Sequence, residues 1–329
     1  MDNTAKYLRF TKDYNLPINI FDEEMFNYYR TLYKDFWPTR EEALMNEEIS
    51  QHDGNINLWL EDYSKLRDKI IYSIEESEPY LEFNSVDLIE KYPLSDITFG
   101  ERNVYTQETN GKTFISVDLK KANFQALKYA GVIPDDTYQD FIKRMGGSEY
   151  FASSKYLRQV IFGKLNPKRQ IRVEKYLLKM IEGLVHSLLG MDVFSFGTDE
   201  IIYECPNDLK SSSLFSCQQL VNNNYTYLDE IERIVKRELG VSVRVEHIQI
   251  TRLPIVNSHG NTVDAYIRKN LRTGEEKLKK ASTTFYPQIY KLWKGEPITD
   301  LDKKFFFEGQ KATFDEPLIL LEKDENSSN

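Results

Sequence analysis

Between Lys112 and Ile250 the hydrophobic periodicity switches from two to 3.6 residues and back, in an order that leaves few folds open. Lys112–Asp118 reads as a β-strand whose apolar run, Phe114-Ile-Ser-Val-Asp118, ends on an aspartate. Helical patterns follow over Lys120–Ala130, Asp135–Met145, Tyr150–Phe162 and Pro167–Leu189. Gly146-Gly147 separates the second from the third, and Gly190 closes the last. Asp192–Phe196 and Ile201–Cys205 then alternate as two strands joined across Gly197-Thr198-Asp199-Glu200. A helix over Phe215–Leu239 stops at Gly240 and leads into Val241–Ile250, the strongest alternating strand of the chain. Strand, helices, hairpin, helix, strand is a β-α-β-β-α-β order, so the predicted class is α+β. In that topology the first strand lies beside the hairpin, which brings Asp118 and Asp199 to the same edge of the sheet.

The flanking regions differ in composition. Residues 1–100 are acidic and mainly helical, with helices predicted over Asp22–Lys34 and Asn57–Glu76 and a capping box at Thr39-Arg-Glu-Glu42. Residues 251–329 read as β-rich, with a disordered tail from Glu322 to Asn329. The net charge of −9 conceals an asymmetry: residues 1–101 hold 10 Lys+Arg against 22 Asp+Glu, whereas residues 102–180 hold 15 against 7. A basic stretch inside an acidic chain suits a phosphate-rich partner bound at one place, although solvated helix faces carry such runs too. With two cysteines and four scattered histidines there is no disulfide framework and no zinc motif, so any metal is expected to be oxygen-ligated. The absence of a membrane-spanning run and of a leader predicts a cytoplasmic protein with no membrane partner.

Two aspartates held rigidly at strand ends can share a pair of Mg2+ ions, with Mn2+ as a substitute, the arrangement that moves phosphoryl groups. The segment Lys155–Phe162 supplies the complement. At helical spacing Lys155, Arg158, Gln159 and Phe162 share a face, while Leu157, Val160 and Ile161 form a buried stripe. Lys155 can neutralise a triphosphate, and the planar guanidinium of Arg158 fits phosphate oxygens. The bland alternative gives Asp118 and Asp199 ordinary structural duties, as a strand-end cap and a turn residue.

These residues together resemble the palm domain of nucleic-acid polymerases, most nearly a reduced B-type, protein-primed phage enzyme. That family carries an Asp closing a strand, a helix with Lys, three residues, Asn-Ser, one residue, Tyr-Gly, and an Asp-Thr-Asp hairpin. Here Lys155 stands seven residues before Phe162-Gly163-Lys164, with Gln159 and Val160 at the Asn-Ser positions, and the hairpin reads Gly197-Thr198-Asp199. The resemblance implies a palm-like domain over 101–250 with a short fingers segment over 131–190, and a thumb-like region over 251–329. It implies template-directed nucleotidyl transfer, by a DNA or RNA polymerase or a primer-making enzyme. Asp118, Asp199 and the Leu119 carbonyl would be metal ligands, and Glu200 would give support from the other side of the turn. Phe162 would pack on the nascent base pair, and Gly163, Lys164, Lys168, Arg169 and Arg172 would follow the nucleic acid. Sugar selection would fall to Asn123, five residues after Asp118, or in the neighbouring register to Phe124. The implied partners are template, primer, nucleoside triphosphates and other replication or transcription proteins. The alternative is a palm-fold subunit that binds nucleic acid or assembles a complex without catalysis.

Overall fold

The computed structural model describes residues 3–94, 102–190, 192–205 and 226–321. Six helices come first: α1 (Thr4–Tyr14), α2 (Glu23–Leu32), α3 (Thr39–Ser50), α4 (Ile56–Glu75), α5 (Glu78–Ser85) and α6 (Leu88–Lys91). Their starts follow local chemistry. Asp22 caps α2 by accepting from the Met25 N–H at 2.9 Å, and Asn55 caps α4 through the N–H groups of Asn57 and Leu58. The capping box predicted at Thr39 does not form. Thr39 is already the first helical residue, and Glu42 instead accepts from Trp37 Nε1 at 2.8 Å and pairs with Arg30. Most aromatic residues of this region are core: Tyr29, Tyr33 and Trp37 are buried in the same hydrophobic cluster as the sheet, whereas Phe36 and Tyr72 are exposed.

The central strand β1 (Thr113–Leu119) is followed by α7 (Ala122–Tyr129), α8 (Tyr138–Arg144), α9 (Glu149–Ser153), α10 (Lys155–Lys164) and the long α11 (Pro167–Leu189). The hairpin is β2 (Val193–Phe196) and β3 (Glu200–Glu204); α12 (Thr226–Leu239) and β4 (Val243–Arg252) complete the unit. Of the helix predicted over Phe215–Leu239, residues 215–225 lie outside the described residues. The remaining elements are β5 (Ile255–Val256), β6 (Thr262–Val263), β7 (Tyr266–Asn270), β8 (Glu276–Lys279), α13 (Tyr286–Lys294), β9 (Lys304–Phe307), β10 (Gln310–Thr313) and β11 (Ile319–Leu320). This last region combines short strands with α13, whose Ile289 shares a buried cluster with Ile255, Ile267 and Leu278. The predicted tail, Glu322–Asn329, lies outside the described residues. Among the described residues no helix is long and apolar enough to cross a membrane.

The main sheet has the order β2-β3-β1-β4-β7-β8, and its neighbours pair antiparallel. The chain is therefore α+β, and the first strand does lie beside the hairpin. Side-chain alternation gives the sheet two unlike faces. Ile115, Val117, Leu119, Ile201, Tyr203, Val243 and Val245 join one buried cluster with Leu127 of α7, Val173 and Leu177 of α11, and Leu228 and Ile231 of α12. The opposite face carries Ser116, Asp118, Glu200, Arg244, Glu246 and Arg268, the charged ones joined in ion pairs, beside a smaller apolar cluster of Phe114, Ile202, Ile248, Ile250 and Tyr266.

Tyr150–Phe162, predicted as one helix, is broken at Ser154. Ser154 has extended backbone, and its hydroxyl accepts from the Leu157 N–H at 2.9 Å, capping α10. The same hydroxyl donates to Asp13 Oδ1 at 2.8 Å. Asp13, fully buried in α1, also accepts from Tyr63 of α4 at 3.0 Å and Tyr150 of α9 at 2.7 Å. The amino-terminal helices thereby hold the start of α10, where Lys155 stands.

Candidate active site

Asp118 is the penultimate residue of β1, opposite Glu200 of β3 on one side and Arg244 of β4 on the other. Asp199 immediately precedes β3, and its carbonyl accepts from the Leu119 N–H at 2.8 Å, so one backbone ladder fixes both aspartates. They line an open cleft of about 740 Å³. The β1–α7 junction adds Leu119, Lys120, Lys121 and Asn123; α10 adds Lys155, Arg158 and Gln159; α11 adds Glu174; Thr198 and Arg244 complete the wall. Asp118, Leu119, Asn123, Lys155, Arg158, Gln159 and Asp199 thus come together from three stretches of sequence.

Other predicted residues lie elsewhere. Phe162 and Phe124 are 1% exposed and sit in an aromatic core with Tyr138, so Asn123, not Phe124, faces the cleft. Glu200 shares the sheet face of Asp118. It accepts from Ser116 Oγ at 2.5 Å and pairs with Arg268 Nη1 at 2.9 Å, outside the cleft wall. Gly163, Lys164 and Lys168 are exposed. Arg169 and Arg172, expected along a nucleic acid, turn inward: Arg169 donates to the carbonyls of Phe83 and Val86, and Arg172 to that of Leu88 at 2.8 Å. Both clamp α11 to the α5–α6 corner: Arg169 takes carbonyls at and just past the α5 C-terminus, where cationic donors are favoured, and Arg172 shares the Leu88 carbonyl with the Tyr92 N–H.

The cleft is electrically divided. Burial, opposed by Arg244 and reinforced by Glu200 and Asp199, pushes the Asp118 carboxyl up to about 6. Burial and Glu200 raise Asp199 as well, against the pull of Lys155. Glu174, which sequence reasoning missed, is 6% exposed, and burial beside Asp199 pushes it up to about 7. Its signal was an acid next to Val173 in the apolar stripe of α11. Across the cleft, burial and then Arg158 lower Lys121 to about 8. Lys121 and Arg158 lie 5.0 and 5.9 Å from the Tyr138 ring, and the buried Arg158 Nε has no hydrogen-bond partner among the described residues. Lys121 also holds a left-handed backbone at φ 55°, a strained conformation of the sort that clusters at functional sites.

Among the described residues no group of three or more His, Cys, Asp or Glu side chains forms a ready metal cage. The oxygen donors present suit Mg2+ nonetheless, since that ion is commonly held by one or two carboxylates together with substrate phosphates.

Compared with protein-family models, curated proteins and solved structures, the chain has no match.

Proposed function

We propose that the chain is a nucleotidyltransferase that extends a nucleic-acid strand from nucleoside triphosphates, with a palm-like sheet as its scaffold and Mg2+ as its cofactor. The observation that carries this reading is the cleft itself: two strand-end aspartates on adjacent strands face a helix presenting Lys155, Arg158 and Gln159. Asp118 and Asp199, with the Leu119 carbonyl beside them, would hold the metal. Bound there, Mg2+ or Mn2+ would activate the attacking hydroxyl and neutralise the leaving pyrophosphate. The chain's own groups do the rest. Lys155, Lys121 and Arg158 attract and orient the triphosphate, and Asn123 offers an amide where a sugar hydroxyl would lie. Exposed Lys164 and Lys168 remain candidates for contact with a template or primer backbone.

The test is primer extension with Mg2+ or Mn2+ and separate ribo- and deoxyribonucleotide sets, comparing wild type with Asp199→Ala. Extension by wild type and its loss in the variant supports the reading; equal signals from both sink it. One observation favours a second reading, a palm-like subunit that binds nucleic acid without catalysis: Arg244 already occupies Asp118, Nη2 to Oδ2 at 2.9 Å. Nucleic-acid binding without extension under all nucleotide and metal combinations would select it.

A further inference from the structure

Arg244 lies between two carboxylates on the sheet face that also carries Ser116 and Arg268. Its Nη2 is 2.9 Å from Asp118 Oδ2, and its Nε is 3.7 Å from Glu246 Oε1, two residues along β4. The two anions differ in how firmly they are held. Glu246 is buried and fixed by Arg268 Nη2 at 2.7 Å, with Asn270 Nδ2 at 3.4 Å. Asp118 opens on the cleft, and the Arg244 side chain is 47% exposed, so it has room to turn. A second cation arriving at Asp118 would meet the guanidinium at close range, where like charges repel.

We propose that Arg244 is a resident counter-cation of Asp118 that moves onto Glu246 when a divalent cation takes the aspartate, so that the Arg244–Glu246 pair sets the cation affinity of the site. The inference rests on the reading of Asp118 as a cation ligand. Arg244 is thus a positioning residue: it neutralises Asp118 in the resting protein, and Glu246 is the seat that lets it leave. Arg268, shared between Glu246 and Glu200, keeps that seat in place.

The test is binding of MnCl2 without nucleotide, followed by the electron paramagnetic resonance of free Mn2+, for wild type, Arg244→Gln, Glu246→Gln, the double variant and Asp118→Asn. Arg244→Gln is expected to bind Mn2+ tighter by roughly fivefold, the scale of a partly exposed ion pair. Glu246→Gln is expected to bind about threefold more weakly, and the double variant to match Arg244→Gln, because the seat matters only while the arginine is present. If Asp118→Asn abolishes binding but Arg244→Gln gains nothing, or Glu246→Gln loses nothing, the inference falls and the metal reading stands. If wild type and Arg244→Gln both fail to bind, or binding ignores Asp118→Asn, the metal reading falls and takes the inference with it. A readout in the unmodified chain guards against a misfolded variant. The Arg244 Nε–H resonance is expected to shift on titration with MgCl2, and a resonance unmoved at saturation overturns the proposal.

Discussion

Glu174 and Gly197 show how much one residue's surroundings decide. Glu174 has its carboxyl raised from 4.5 to about 7 by burial and by Asp199. The folded chain therefore holds a proton there that the unfolded chain gives up, so its contribution to stability is full below pH 4.5 and is lost as pH rises through about 7. Glu174→Gln is expected to be more stable than wild type at pH 8 by on the order of 2 kcal/mol, with the gap closing below pH 4.5. Urea unfolding at the two pH values measures this, and a pH-independent gap would refute the assignment. Gly197 sits in a turn with little room for a side chain. A Cβ there would approach the Glu200 carbonyl oxygen to 3.2 Å, while the Gly197 N–H bonds that same oxygen at 2.9 Å. Gly197→Asp is therefore expected to lose roughly 1 kcal/mol of stability without raising primer extension.

At the level of elements, α10 is the piece whose placement matters most, since Lys155, Arg158 and Gln159 reach the cleft only if its first turn is held. Ser154 both caps that turn and donates to Asp13. Asp13→Ala leaves the hydroxyls of Tyr63, Tyr150 and Ser154 without their common acceptor, and is expected to cost about 3 kcal/mol. Ser154→Ala should cost about 1 kcal/mol through the lost cap and raise KM for the nucleotide, although Ser154 does not line the cleft. Denaturant midpoints together with steady-state kinetics separate the two effects. A stability loss with KM unchanged would show that α10 keeps its place without the cap. The break at Ser154 was not read from the apolar periodicity of Tyr150–Phe162, which runs through it; a serine cap marks it locally, and Asp13, 141 residues away, holds the same hydroxyl. By contrast α7, α11 and the hairpin were legible, since their boundaries rest on local signals: Pro167 at a helix start, Gly190 at a helix end, and Gly197 in the turn.

Across the whole molecule, the basic stretch over 102–180 divides into cations that face outward and cations that bind the chain to itself. Lys168 is exposed, whereas Arg169 and Arg172 fasten α11 to the amino-terminal helices. Lys168→Ala is thus expected to lower nucleic-acid affinity and shrink its salt dependence with little change in stability. Arg169→Ala is expected to lose about 2 kcal/mol of stability and leave the salt slope unchanged, as read by titration at several salt concentrations. The opposite pattern would restore Arg169 to a nucleic-acid track. What the sequence determined by itself was mostly local, the periodicities and the helix stops set by neighbours in the chain; the class α+β and the pairing of first strand with hairpin followed from the order of those elements. It also marked Asp118, Asp199, Lys155, Arg158 and Gln159 as polar groups at the ends and exposed faces of those elements. Tertiary structure alone decided which charges meet. Glu174 joined the cleft because α11 packs under the sheet, Phe124 and Phe162 left it for the core, and Arg244 reached Asp118 across a strand ladder. Ion pairs and burial depend on distances through space, and a linear pattern carries no record of them until the chain has folded.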